Sequence, residues 1–416
     1  MCSVEAYRQL DPLVGTLLDG RYRVDGEIAS GGMSTVYRGL DVRLDRPVAL
    51  KVMDSRYASD EHFLTRFQRE ARAVARLKDP GLVAVYDQGG GGRGGPPPFL
   101  VMELIEGGTL RELLNERGPM PPHAVAAVLS PVLSGLAVAH RAGLVHRDIK
   151  PENVLISDDG EVKIADFGLV RAVAEAKITS TSVILGTAAY LSPEQVSTGE
   201  ADPRSDVYAV GILTYELLTG LTPFTGDSAL AVAYQRMDHD VPPPSAVIAG
   251  VPAQFDDFVR RATVRERAAR FADAGVMASQ LATVVDQLDL PPFRVPAPRN
   301  SAAHLAATEF HERAAVAVPA DVTAVTDVTP APPRAPQTAP VQQTRQFTID
   351  HEFAPVAGDH LPAAPSRFAG IELSEFYWAR QRAKRMLLFW VIGVLTLAGL
   401  VAAAAWTLGS HLSVLI

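Results

Sequence analysis

The stretch His146-Arg147-Asp148-Ile149-Lys150-Pro151-Glu152-Asn153, followed by Asp166-Phe167-Gly168, decides how the rest of the chain is read. It sets two carboxylates, an amide and an ammonium close together in a short span. Asp166 lies thirteen positions after Asn153, and an apolar run precedes each element. This is the set that phosphoryl transfer from ATP uses. A carboxylate such as Asp148 accepts the proton of an attacking hydroxyl. An amide and a second carboxylate, Asn153 and Asp166, are oxygen ligands for Mg²⁺, or Mn²⁺ in its place. Lys150 is a cation beside the migrating phosphoryl group. Each piece alone arises by chance; both in this order and spacing are specific.

Composition sets the frame. The chain has 416 residues and is 47% hydrophobic, enough for a large core plus linkers. Its formal charge of -8 argues against nucleic acid as a partner, which calls for a basic face. A single cysteine, Cys2, excludes a disulfide framework and a cysteine metal site. The N-terminus lacks the charged and apolar regions of a signal peptide, so the chain is expected to start in the cytosol.

Three regimes follow a short lead, 1–20. Residues 21–289 read as globular, with strands first and helices later. Residues 290–369 are rich in Pro, Ala, Thr and Val, which predicts a disordered, partly extended linker. Residues 386–408 carry no charge, and at 1.5 Å per residue such a helix spans roughly 30 Å of hydrocarbon. Its Leu, Ile, Val and Phe residues favour insertion by several kcal/mol in sum, and Trp390 and Trp406 sit near its ends. The basic segment 370–385 holds Arg380, Arg382, Lys384 and Arg385, whereas 409–416 has no Lys or Arg. The positive-inside rule then predicts a single-pass protein of the inner (plasma) membrane, its globular part cytoplasmic and its C-terminus outside.

Candidate nucleotide contacts lie upstream. The run Ile28-Ala29-Ser30-Gly31-Gly32-Met33-Ser34-Thr35-Val36 alternates around a turn of small residues. That suits two strands folded over phosphates with bare backbone N–H groups facing the ligand. It departs from the pattern G-x-G-x-x-G-x-V at two positions, where Ala29 and Ser34 replace glycine. Val48-Ala49-Leu50-Lys51 supplies a strand lysine for the α- and β-phosphates. Read alone, Lys51 is a solvated strand-end residue. An inward lysine needs an anion, and Glu70 is the candidate, on a segment where Phe67, Ala71, Val74 and Leu77 share a helical face. Phe99-Leu100-Val101-Met102 reads as a buried strand running into a glycine turn, with the backbone of Glu103 and Ile105 set to bind the adenine edge. The glycine run 89–95 and the prolines 96–98 read as a hairpin loop.

Taken together, residues 21–288 resemble the eukaryotic-like serine/threonine protein kinases of bacteria, in particular the actinobacterial transmembrane branch. The Gly-Gly-Met-Ser loop, His146-Arg147-Asp148 with Lys150, and Gly186-Thr187-Ala188-Ala189-Tyr190-Leu191-Ser192-Pro193-Glu194 carry the resemblance. It implies an α+β bilobal fold: a small antiparallel β lobe with one helix, 21–101, and a large, mainly helical lobe, 106–289. Asp206 would anchor the catalytic-loop backbone, and Glu194 with Arg270 would form a buried ion pair. Thr187 would brace Asp148 and Lys150, the arrangement of a serine/threonine enzyme. In Ala176-Lys177-Ile178-Thr179-Ser180-Thr181-Ser182-Val183, Thr179 and Thr181 match the family's phosphoacceptor pair, with Arg147 as a cation to receive the phosphate. The implied partners are proteins with Ser/Thr acceptors, and a homodimer through the small lobe.

Two other classes stay open at this stage. A nucleotide-binding pseudokinase scaffold would account for Ala29 and Ser34. A docking platform would use linker threonines such as Thr323, Thr326 and Thr344 for phosphothreonine-binding domains.

Overall fold

The structure is a computed structural model that describes residues 11–32, 34–57, 60–91, 95–167, 189–226 and 228–308, with 367–368 and 371–372. Its first element group is a six-stranded antiparallel sheet. In chain order the strands are β1 (Leu17–Leu18), β2 (Tyr22–Ser30), β3 (Ser34–Asp41), β4 (Arg46–Met53), β5 (Val85–Gly89) and β6 (Phe99–Met102). Their spatial order is β1-β2-β3-β4-β6-β5. β4 is central, and its residues from Val48 to Met53 are all buried, so it reads as a continuous apolar run rather than an alternation. β5 and β6 form the hairpin around the glycine-proline loop.

One helix packs on this sheet, α1 (Glu61–Val74). The Asp60 carboxylate caps it by accepting from the His62 and Phe63 N–H groups. Phe63, Phe67 and Ala71, at a spacing of four, make its buried stripe. The rings of Tyr57 and Phe63 stack at 4.7 Å, and those of Phe63 and Phe67 at 5.9 Å.

After the sheet the chain enters a helical lobe through β7 (Gly107–Thr109), which joins β8 (Val154–Ser157) and β9 (Val162–Ile164) in a small three-stranded sheet. Gly107 has φ +145°, and an added Cβ would lie 2.0 Å from the Ile156 carbonyl oxygen, so only glycine fits this exit. α2 (Leu110–Arg117) starts from a capping box in which Thr109 and Glu112 satisfy each other's backbone. The helices α3 (Pro122–Arg141), α4 (Pro193–Ser197), α5 (Pro203–Thr219), α6 (Ala229–Asp238), α7 (Ala253–Thr263) and α8 (Ala274–Gln287) follow. One apolar cluster, built mainly on α3, α5, α7 and α8, is their core.

α3 is, among the described residues, the helix long and apolar enough to cross a membrane. Val125, Val128, Leu129, Val132, Leu133 and Leu136 are fully buried in the lobe, so α3 is its central core helix. The span read from the sequence at 386–408 lies outside the described residues.

Ordered packing continues past residue 289, where the sequence reading ended the folded domain. Leu290, Val295, Ser301 and Ala306 are buried, and residues 302–308 are helical. Prolines keep this stretch extended while isolated apolar side chains fill a groove on the large lobe. Composition averaged over 290–369 hides those few contacts. Further on, Arg367–Phe368 and Ile371–Glu372 pair as a short antiparallel hairpin.

Candidate active site

Residues 146–153 lie between α3 and β8, held against the buried N-terminal turn of α5. Asp206 is the anchor. Its carboxylate accepts the His146 and Arg147 N–H groups, each at 2.7 Å. It also lies 2.9 Å from His140 Nε2. His140 Nδ1 accepts the Ala274 N–H at 3.2 Å, which leaves the ring proton on Nε2 to be donated to Asp206. Arg147 has φ +73° and Asp166 φ +67°. Such left-handed non-glycine residues cost on the order of 1–3 kcal/mol each, and the hydrogen bonds around them hold that strain.

Within the loop, Asp148 Oδ2 sits 2.8 Å from Lys150 Nζ. The Asn153 amide nitrogen donates to the same oxygen at 3.1 Å and to the Asp148 carbonyl at 2.7 Å. With the Asn153 Nδ2 group spent on Asp148, Oδ1 is the oxygen that Asn153 can offer to a metal ion. His146 accepts the Asp148 N–H on Nδ1 and donates from Nε2 to the Ala165 carbonyl at 2.8 Å. Its ring meets Phe167 edge to face at 4.5 Å, which ties the loop to the residues around Asp166.

Lys51, on β4, is buried and pairs with Asp166 Oδ1 at 2.7 Å. Burial pushes the Asp166 carboxyl up. The Lys51 charge and hydrogen bond, with His146 and Lys150, outweigh it and hold the group below the ordinary carboxylate range. The sequence reading named Glu70 as the anion for Lys51; the carboxylate found against the ammonium is Asp166, and Glu70 stands half-buried on α1. The left-handed backbone at Asp166 turns its carboxylate back toward β4, so it reaches the ammonium instead.

At the outer end, Ala29 pairs with Val36 and Ser30 with Thr35 across the turn, and a register irregularity falls just before Ala29. The Gly31 N–H donates to the Ser34 carbonyl at 2.9 Å. Between β6 and β7, the Glu103 N–H is spent on the Ala84 carbonyl at 2.9 Å, and the Glu103 carboxylate on Lys163 at 2.7 Å. The Glu103 carbonyl and the Ile105 N–H are in no backbone hydrogen bond among the described residues, which leaves an acceptor and a donor for the adenine edge that the sequence reading assigned to them. Met33, Gly168, Thr179, Thr181 and Thr187 lie outside the described residues.

The donor set fits a nucleotide-bound divalent ion. No group of three or more His, Cys, Asp or Glu side chains that could cage a metal occurs among the described residues. One amide oxygen and one carboxylate suit an ion that takes its remaining oxygens from phosphates and water.

The protein kinase domain family matches residues 22–281. The chain belongs to this family. The serine/threonine-protein kinase PknL of Mycobacterium tuberculosis is 65% identical over 97% of this chain and 98% of its own length. M. tuberculosis PknB is 43% identical over 64% of this chain and 43% of its own length. The solved kinase domain of M. tuberculosis PknI aligns with a TM-score of 0.52 at 26% identity, covering 65% of this chain and 97% of that one. The chain is thus a bacterial serine/threonine protein kinase with a β-sheet small lobe and a helical large lobe.

Two polar clusters brace this kinase's large lobe. Arg270 donates to both Glu194 oxygens, at 2.9 and 3.0 Å, and to the carbonyls of Val264, Arg204 and Arg265. Burial pushes the Glu194 carboxyl up, but Arg270 and the Ser205 hydroxyl hold it below its usual value. The second cluster was not read from the sequence. Arg111 on α2 reaches Glu152 of the catalytic loop at 2.8 Å, Glu216 of α5 at 2.6 Å and the Tyr190 hydroxyl at 2.7 Å. The Tyr190 hydroxyl also donates to Glu216. Burial and then the Glu216 charge push the Tyr190 hydroxyl far above its ordinary value, so it stays a donor. These partners stand 26 to 105 residues apart, and no local pattern marks them.

Proposed function

We propose that this kinase transfers the γ-phosphoryl group of ATP to protein Ser and Thr hydroxyls at the cluster of Asp148, Lys150, Asn153, Asp166 and Lys51. The observation that carries the reading is Asp148 Oδ2 fixed between Lys150 Nζ at 2.8 Å and the Asn153 amide at 3.1 Å. The acceptor hydroxyl gives its proton to the Asp148 carboxylate. Its oxygen forms the new P–O bond as the bond to the β-phosphate oxygen breaks and ADP leaves. Lys150 offsets charge on the transferred group, and Lys51 orients the α- and β-phosphates. Asn153 and Asp166 would hold Mg²⁺ or Mn²⁺, which supplies charge neutralisation between the phosphates. Positioning and electrostatics dominate such transfers, because little covalent chemistry falls to the protein.

Lys51 and Asp166 stand 2.7 Å apart, so the ammonium that would serve the phosphates lies beside the carboxylate that would hold the ion. Phosphorylation of Thr179 or Thr181, in trans between two copies, would order the segment before Tyr190, with Arg147 a cation for the new phosphate. The uncharged run 386–408 and the basic residues before it support a membrane anchor that leaves the kinase domain in the cytoplasm.

Incubating the full chain with labelled ATP and Mg²⁺, beside Lys51→Met and Asp148→Asn, tests the reading. Label on the parent but not on the variants is the expected result. Equal label on all three, or none on the parent with nucleotide still bound, would assign the scaffold role instead. Mass spectrometry of the same samples tests Thr179 and Thr181, and membrane fractionation of cells with and without residues 386–408 tests the anchor.

A further inference from the structure

We propose that residues 299–308 are a built-in wall of the nucleotide cleft, with Ala303, His304 and Ala307 positioning the adenine-ribose end of ATP. The segment lies beyond residue 281, where the family match ends.

Its seat is built from both sides. The Ser301 hydroxyl is fully buried and donates to the Gly107 carbonyl. The same oxygen accepts the His304 N–H at 3.1 Å, so Ser301 both anchors the helix 302–308 and caps it. The Ala302 N–H donates to Glu112 Oε1 at 2.9 Å. The other oxygen of that carboxylate closes the α2 capping box, which makes one side chain serve both segments. The Arg299 N–H donates to Glu116 at 2.7 Å. Gly108 offers a bare backbone here: an added Cβ would lie 2.5 Å from Pro298 and 2.6 Å from Ser301. His304 Nε2 lies 2.9 Å from Asp158 Oδ1, which fixes the ring at the β8–β9 turn.

These anchors surround a cavity of about 240 Å³. Ala303, His304 and Ala307 form one side; Ile28, Ile105 and Asp158 form the other. Ile28 opens the small-residue turn, and Ile105 carries the N–H assigned to the adenine edge. The cavity therefore shares two residues with the nucleotide cleft. Sites for whole drug-sized ligands occupy roughly 300–1,000 Å³, so this volume suits one edge of a nucleotide rather than a separate ligand. Arg38 and Glu106, paired at 3.0 Å, close the rim.

The inference rests on ATP binding at Ile105, and its test separates the two. In the full chain, Ser301→Ala loosens the wall, Ala307→Trp fills the cavity and His304→Ala removes the tie to Asp158. ADP affinity by calorimetry needs no catalysis, and KM for ATP, KM for protein substrate and kcat are read beside it. Loss of the cap and anchor in Ser301→Ala is expected to weaken ADP binding and raise KM for ATP by roughly three- to tenfold. Ala307→Trp is expected to act in the same direction, with kcat and the protein-substrate KM held. Unchanged ADP affinity in folded Ser301→Ala and His304→Ala chains overturns the proposal. So does a rise confined to the protein-substrate KM. A parent chain that binds ADP but transfers no phosphoryl group counts against the proposed function and leaves the wall standing.

Discussion

The two ends of the cleft are held in different ways. Around Asp148, strained backbone is fixed by many buried hydrogen bonds: Asp206 receives three donors, His146 bridges two segments, and Asn153 grips Asp148 twice. Around Lys51, the ammonium meets the Asp166 carboxylate at 2.7 Å, and the small-residue turn is held by the β2–β3 ladder and the Gly31 N–H to the Ser34 carbonyl, at an exposed edge of the sheet. On the proposed function, the Asp148 end is preorganised by buried hydrogen bonds, and the Lys51 end depends more on the nucleotide it would hold. Substitutions at the first should therefore cost turnover or stability, and substitutions at the second should cost nucleotide affinity.

The largest effect is expected at the buried ion pair beneath the catalytic end. Arg270 has a fully buried side chain, and Arg270→Ala leaves Glu194 as an unpaired buried charge, at a cost of about 3–5 kcal/mol in urea denaturation. A loss below about 1 kcal/mol would place the pair among ordinary surface contacts. In the core, Leu129→Ala on α3 should cost about 2–5 kcal/mol, because Leu129 is fully buried in the large-lobe cluster. A value that small at Leu129 alone would instead signal a loosely packed lobe.

A pH titration sharpens the same contrast. The folded Glu194 carboxyl titrates below its ordinary value of 4.5. Its contribution is thus fully present above pH 4.5 and is lost as pH falls through the folded value. The stability gap between the parent and Glu194→Gln should accordingly shrink as pH drops below about 4.5. A gap that widens there would reverse the sign of the argument. The smallest effect is expected at the phosphate turn. Ala29→Gly and Ser34→Gly restore the glycines of the usual pattern and should shift KM for ATP by less than about tenfold, with stability lowered by no more than about 1 kcal/mol each.

The same contrast explains what could be read from the chain. The grouping of Asp148, Lys150, Asn153 and Asp166 was legible because polar groups at fixed spacing interrupt apolar runs; α1 was legible in part from the face of Phe67, Ala71 and Val74, though the helix ends at Val74 before Leu77 and its buried stripe starts a turn earlier at Phe63. The Arg111, Tyr190 and Glu216 cluster was not, because its members meet only after α2 and α5 pack. The pairing of Lys51 depended on the backbone turn at Asp166, which no composition rule reports. The groove filled by residues 290–308 was hidden because three buried apolar side chains, Leu290, Val295 and Ala306, are diluted by prolines and alanines.

The most direct test of the central claim is kcat and ADP affinity measured together for Asp148→Asn in the full chain. Removal of the proton acceptor should lower kcat by about 10²- to 10⁴-fold while ADP binds as tightly as to the parent. A variant that keeps kcat within about tenfold of the parent, or one that loses ADP binding in step with turnover, would contradict the assignment of Asp148 to the transfer itself.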